Sequence, residues 1–435
     1  RCPVTSMLAR ARAEAVRTPP DRDRLVDALR VFAMGVVVVG HWLMAVLWID
    51  PDGDVVIASA LDDNPTLQLL TWALQVMPLF FLAGGFANQR SLLDAESEHT
   101  IGAWLGRRAR RLLVPISLLV AFWAVLAPLL RLWLDPGLVL AAGRGALVPL
   151  WFIAVYLGIV LLAPLTHRWW LRWGWRTVVV GVALTLMVDL IRFTAGAEWL
   201  GWANFAFMWG TIHQAGYGMA DWRRPSVGRW LAPIGLGLLI LGVTVGPYPL
   251  PMIGLDSQTG LNNTEPPTAI LLALATMQMG LVGLVAPRLQ RALERTRTWT
   301  WVVAGGAVVM TWFTWHLTVM ILVAALDLAV GGWFLTIEPF SDLWWWTRPV
   351  WIIGLAAVTL PLVVALAGLE ARSRRGMVER PGWLVAVGIV GAIASVAALV
   401  LGGVTWPWVV GFFVSVWAAG ALPTRRRGSD SVPAT

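Results

Sequence analysis

The sequence predicts an all-α polytopic membrane protein with about twelve transmembrane helices and both termini in the cytoplasm. Three observations carry this. Of 435 residues, 58% are hydrophobic and 13% charged, with a mean hydropathy of +0.71; soluble chains carry roughly 25% charged residues. Twelve apolar stretches approach the ~20 residues a helix needs to cross hydrocarbon. The 33 basic residues are all arginine, and 29 of them fall in the connections on one side of these stretches.

The stretches run over 31–49, 66–87, 112–130, 148–166, 177–193, 201–220, 230–247, 268–286, 301–326, 346–368, 382–401 and 405–422. Only a short turn, GGVT, parts the last two, so 382–422 reads as two spans or as one re-entrant unit. With the N-terminus cytoplasmic, the inner segments are 1–30, 88–111, 167–176, 221–229, 287–300, 369–381 and 423–435. Only Arg131, Arg144, Arg192 and Arg348 lie outside them. That bias is the positive-inside rule. It places the chain in the plasma membrane as a multi-pass protein, with membrane lipids as its first partners. It also explains the net charge of +8 without nucleic acid.

Residues 1–23 read as a disordered cytoplasmic tail, 24–422 as one transmembrane domain and 423–435 as a cytoplasmic C-terminal tail. The first 23 residues lack the apolar core of a cleaved signal. The first span is therefore expected to stay as an anchor, and Met7 is a candidate start. One cysteine, Cys2, rules out an internal disulfide and a cysteine metal cage. No segment is long enough for an appended soluble domain. Outer segment 50–65 holds five aspartates, and 247–267 is the longest outer connection, read as a linker or as a lid. The 29 tryptophans cluster at 167–176 and 343–349, as aromatic belts do; sugar stacking by outer members is the alternative.

The first span carries the chemistry. Arg30 and His41 are eleven residues apart, which is 1100° of helix, about 20° beyond three turns. They share a face and stand about 16 Å apart along the axis, half of the hydrocarbon thickness. Ionisable groups at that depth are costly and point to function. Asp27, three residues before Arg30, is placed to hold the guanidinium. An anionic ligand could dock on Arg30 with its far end at His41, whose neutral imidazole is a general base near pH 7.

Residues 24–42 resemble the first helix of the acyltransferase family 3 integral membrane proteins, which carries Arg, ten residues, then His. "MPLFFLAGGF" (77–86) is similar to that family's apolar-Phe-Phe-x-x-Gly-Phe segment, with Ala83-Gly84-Gly85 where Ser-Gly is commoner. "RRARRLLVP" (107–115) resembles its Arg-x-x-Arg before the third helix, aligned as Arg108 and Arg111. "VPLWFIAVYL" (148–157) matches its fourth helix, and "WHLTV" (315–319) its late histidine helix. The runs "HQAGYGMADW" (213–222) and "NNTEPPTAILLALATMQMGL" (262–281) look like an actinobacterial-type branch. The likeness covers residues 24–370.

The resemblance implies an O-acyltransferase, an enzyme transferring groups other than aminoacyl groups. It would take an acyl group (acetyl or similar) from cytoplasmic acyl-CoA. Arg30, Arg108 and Arg111 would grip the donor, and His41 would act as base or acyl carrier. The acceptor would be a hydroxyl of an extracytoplasmic carbohydrate or glycolipid of the cell envelope.

His213 and Gln214 in the sixth span and His316 in the ninth are possible additional site residues, or packing contacts between helices. Asp327 shares the His316 face. Asp189 and Arg192 are expected to pair, and His99 and His167 to lie inert in cytoplasmic loops. No metal site is expected, since no His-Glu-x-x-His or carboxylate partner accompanies the histidines. The rival reading is a secondary transporter of a small or amphiphilic solute. Against it stand the lack of a half-to-half repeat and only nine residues between spans six and seven.

Overall fold

The computed structural model describes residues 3–62, 64–97, 101–254, 260–373 and 379–422. His99, Cys2 and residues 423–435 lie outside the described residues. The helices in chain order are α1 (Pro3–Val16), α2 (Arg24–Met44), α3 (Pro65–Leu74), α4 (Met77–Ser97), α5 (Ile101–Leu130), α6 (Pro136–Leu147), α7 (Leu150–Trp173) and α8 (Arg176–Ala195). They continue with α9 (Asn204–Tyr217), α10 (Met219–Trp222), α11 (Pro225–Thr244), α12 (Ile270–Glu294), α13 (Thr296–Ala329), α14 (Asp342–Ser373), α15 (Gly382–Gly402) and α16 (Trp406–Ala418). One antiparallel hairpin, β1 (Ala45–Ile49) and β2 (Val55–Ser59), interrupts them. The chain is an all-α polytopic membrane protein.

Among the described residues, ten helical segments are long and apolar enough to cross a membrane, against the twelve expected. The difference lies in the sixth and twelfth stretches. The sixth becomes α9, 14 residues entered through a 3-10 turn at Glu198–Ala203 and closed at Gly218. The twelfth becomes α16, 13 residues starting on Thr405 and Trp406-Pro407. Hydropathy counts apolar residues and cannot see where Gly and Pro cut the helix within them.

Three other expectations change. Residues 3–16, read as disordered, form α1, which packs on α13 with Ala11 and Ala15 buried. Small side chains allow that close approach. The first span ends at Met44, and its last five expected residues are strand β1, with Trp48 opposite Val56. Ala-Val-Leu-Trp-Ile suits a strand as well as a span, and the turn that follows needs Gly53 at φ 90°. The second span splits into α3 and α4 at Gln75–Val76, because Pro78 has no N–H to give the Leu74 carbonyl four residues back and its ring clashes with that carbonyl. Gln75 covers the break, its Oε1 accepting from Met77 N at 3.2 Å and its carbonyl from Gln278 Nε2 at 2.7 Å.

The helices divide into two compact units, 1–93 with 162–362, and 94–161 with 363–435. In the first, α2 and α13 run parallel. A Cβ on Gly305 would stand 2.7 Å from Val31 Cγ1, so the backbones are close there. Ten residues on along α2 and eleven along α13, His41 meets His316. Trp42, Val38, Leu317, Met320, Trp351 and Leu355 pack around that second contact. In the second unit, α15 and α16 form a hairpin turned at Gly403 (φ 81°), and α5 lies against α15.

Candidate active site

Asp23 starts α2 by accepting a hydrogen bond from Val26 N, which sets the register of the whole helix. Asp27 then falls in the first turn, but it does not hold Arg30. Its Oδ2 accepts from Arg22 Nε at 2.7 Å, because the chain before the cap folds back over the helix start. Arg30 is half-buried instead, its guanidinium 5.6 Å from the centre of the Phe80 ring. Its Nε is buried with no hydrogen-bond partner among the described residues. Phe80 belongs to the "MPLFF" run, so the α4 motif meets the α2 motif here.

Three turns further on, His41 Nδ1 lies 2.8 Å from His316 Nε2, with the two rings within 4° of parallel. His316 is fully buried, and its Nδ1 lies 2.6 Å from the carbonyl oxygen of Phe313. These contacts assign the tautomers. A carbonyl oxygen only accepts, so Nδ1 of His316 carries the hydrogen. Neutral His316 therefore offers a bare Nε2, which accepts from Nδ1–H of His41. Neutral His41 is left with its lone pair on Nε2. The ring is half-buried, and its Nδ1 is held by the chain while Nε2 is the basic atom. Trp42 locks the same crossing, its indole donating to the His316 carbonyl oxygen at 3.1 Å.

His213 stands elsewhere in this unit, buried on α9, with Asn88 Nδ2 donating to its Nε2 at 3.0 Å and the Tyr217 ring 5.2 Å away. Gln214 beside it is also buried. The α4–α9 contact is made by glycines: a Cβ on Gly85 would come within 1.9 Å of the His213 carbonyl oxygen, and one on Gly216 within 2.2 Å of that of Leu82. Gly85 is in the run where the family commonly has Ser-Gly, and here its lack of a side chain serves helix approach. His167, expected in a loop, is inside α7 and fully buried beside Tyr217.

Asp189 and Arg192 make no direct ion pair, although the Arg192 charge lies near enough to act on Asp189. Arg192 Nε donates to Glu198 Oε2 at 2.7 Å. Asp189 instead accepts from Asn204 Nδ2 (2.8 Å), Tyr248 OH (3.0 Å) and Ala269 N (2.6 Å). Burial and the Asp189 charge push the Tyr248 hydroxyl above its usual pKa. The described parts of the 247–267 connection, 247–254 and 260–267, are held by side-chain bonds, with Met252 N donating to Thr71 Oγ1 and Asn263 Nδ2 to the carbonyls of Pro249 and Pro251. Asp327 is also structural, accepting from Phe334 N and Leu335 N.

Arg108 and Arg111 lie on α5 in the second unit. Arg108 is half-buried with its guanidinium 5.5 Å from the Trp104 ring centre, and Arg111 is exposed. Among the described residues no group of three or more His, Cys, Asp or Glu side chains is placed to hold a metal.

Two features of the first unit escaped the sequence reading. One is the His41–His316 contact, across 275 residues of chain. The other is Arg348, buried on α14 without a carboxylate partner among the described residues. Comparison with curated proteins and with solved structures yields no match. Comparison with family models matches residues 24–368, from the start of α2 to near the end of α14, to the acyltransferase domain. A membrane-embedded chain built on this helix pair, and matched over most of its length, belongs to acyltransferase family 3 and is a membrane acyltransferase.

Proposed function

We propose that the protein moves an acyl group from acyl-CoA, acetyl-CoA first among donors, to a hydroxyl of an extracytoplasmic carbohydrate or glycolipid. The plasma membrane is the location, with the N-terminus on the donor side. The observation that carries the reading is the His41–His316 pair. A carbonyl, two imidazoles and a bare Nε2 in series make an oriented base. His41 Nε2 takes the proton of the acceptor hydroxyl as its oxygen attacks the thioester carbonyl. The tetrahedral intermediate then expels the coenzyme thiolate, which recovers a proton, and the imidazole returns to neutral. Positive charge arising on His41 is stabilised through Nδ1–H by His316 and, behind it, the Phe313 carbonyl.

Arg30 supports the donor's place. Its guanidinium has no hydrogen-bond partner among the described residues and shares the His41 face about 16 Å away along the helix. A pantetheine-like arm can span such a gap between a phosphate and a thioester. Arg108 and Arg111, on α5 of the second unit, are candidate phosphate-binding residues on the family resemblance alone, since guanidinium pairs bidentately with phosphate.

Mass spectrometry of cell-envelope glycans and lipids, with and without the protein, tests the function. A mass difference of one acyl group on a hydroxyl compound is the expected result, and identical envelopes would overturn it. Purified protein in liposomes should also release coenzyme A thiol from acetyl-CoA when the modified acceptor is supplied.

A further inference from the structure

Arg348 lies on the second turn of α14, and its guanidinium is held between two indoles, 4.3 Å from the Trp344 ring centre and 5.8 Å from that of Trp351. The residue is 7% exposed, its Nε is buried without a partner, and no carboxylate among the described residues pairs with it. A buried charge without a counter-charge is costly. Cation–π contact recovers only part of that cost. The fork is thus flanked by two rings and has no carboxylate partner among the described residues.

Its position is informative. Trp344 packs against Val46 and Ala60 of the hairpin that follows α2. Trp351 packs in the same apolar cluster as Trp42, the neighbour of His41. Arg348 therefore stands at the hairpin end of the α2 axis, and Arg30 at the opposite end, with His41 and His316 between them. Both guanidinia lack a hydrogen-bond partner among the described residues. One arginine on each side of a general base suits two ligands that approach it from opposite ends.

We propose that Arg348 is an acceptor-binding residue that recognises an oxyanion, a carboxylate or a phosphate, on the hydroxyl compound to be acylated. This rests on the acyltransferase reading but makes its own claim: the acceptor is anionic. The fork would take the oxyanion bidentately, with Trp344 and Trp351 holding its plane. The acceptor's hydroxyl would then lie toward His41.

Saturation-transfer NMR on the detergent-solubilised full chain tests this without turnover. The probes are methyl β-glucuronide, glycerol 1-phosphate and methyl β-glucoside, the last an uncharged match of the first. At least one anionic probe should bind while the glucoside does not. Arg348→Gln should weaken that binding about 10- to 100-fold, and Arg348→Lys less. No binding of either anion, equal binding of the glucoside, or anion binding unchanged in Arg348→Gln would each overturn the proposal. The comparison among probes needs only the wild-type protein, so it stands even if Arg348→Gln misfolds. Failure of the acyltransferase reading would show separately, as an anion that binds but is never acylated by acetyl-CoA.

Discussion

At the scale of single residues, the histidine pair separates chemistry from packing. His41→Ala should leave an inserted, donor-binding protein with acyl transfer reduced about 10²–10⁴-fold, the range for loss of a general base. Near-normal transfer, measured as thiol release from acetyl-CoA with acceptor present, would sink the mechanism. His316→Ala keeps the base but frees its Nδ1, so ring orientation and tautomer are lost. Transfer should fall about 10²-fold with donor affinity unchanged, and the pH–rate profile should move, which a merely structural residue would not do. Asp27→Asn should have little effect on donor affinity, less than about twofold, because Asp27 holds Arg22 and not Arg30. Sequence spacing put Asp27 within reach of Arg30, and the N-terminal fold-back offered it a nearer cation.

Elements show which motif residues are there for helix contact. Gly85 and Gly216 let α4 and α9 approach until backbone touches backbone. Gly216→Val should force the helices apart and cost stability in the range of about 1–3 kcal/mol known for overpacking. A lower unfolding temperature in detergent, and a weaker Asn88–His213 contact, would register it; unchanged stability would mean the crossing has slack. The hairpin β1–β2 and the α3–α4 break were both hidden within apolar runs, where hydropathy cannot tell a strand or a broken helix from a span. Of the motif residues, Asn263 and Gly85 hold a loop and a helix crossing, whereas Arg30 Nε has no hydrogen-bond partner among the described residues and His41 is engaged through Nδ1.

For the whole molecule, the orientation proposed from the 29-to-4 arginine split, counted over twelve crossings, is open to direct test. Reporter fusions at Asp52 and Asp342 should report the outside, and fusions at Ala95 and Ser226 the inside. One inversion would place a miscounted span upstream of it. Composition and arginine placement sufficed for the membrane class and the helical architecture, because the bilayer punishes any exposed backbone polar group that a helix does not satisfy. Likewise, the eleven-residue register of Arg30 and His41 is a property of helix geometry alone, so it was legible in one dimension. What only the tertiary structure decided is partnership. His41 and His316 are far apart in the chain, and so are Arg348's flanking indoles and the hairpin beneath them. Side-chain contacts between helices depend on crossing points set by small residues such as Gly305 and Gly216, whose effect is felt only when two helices lie together.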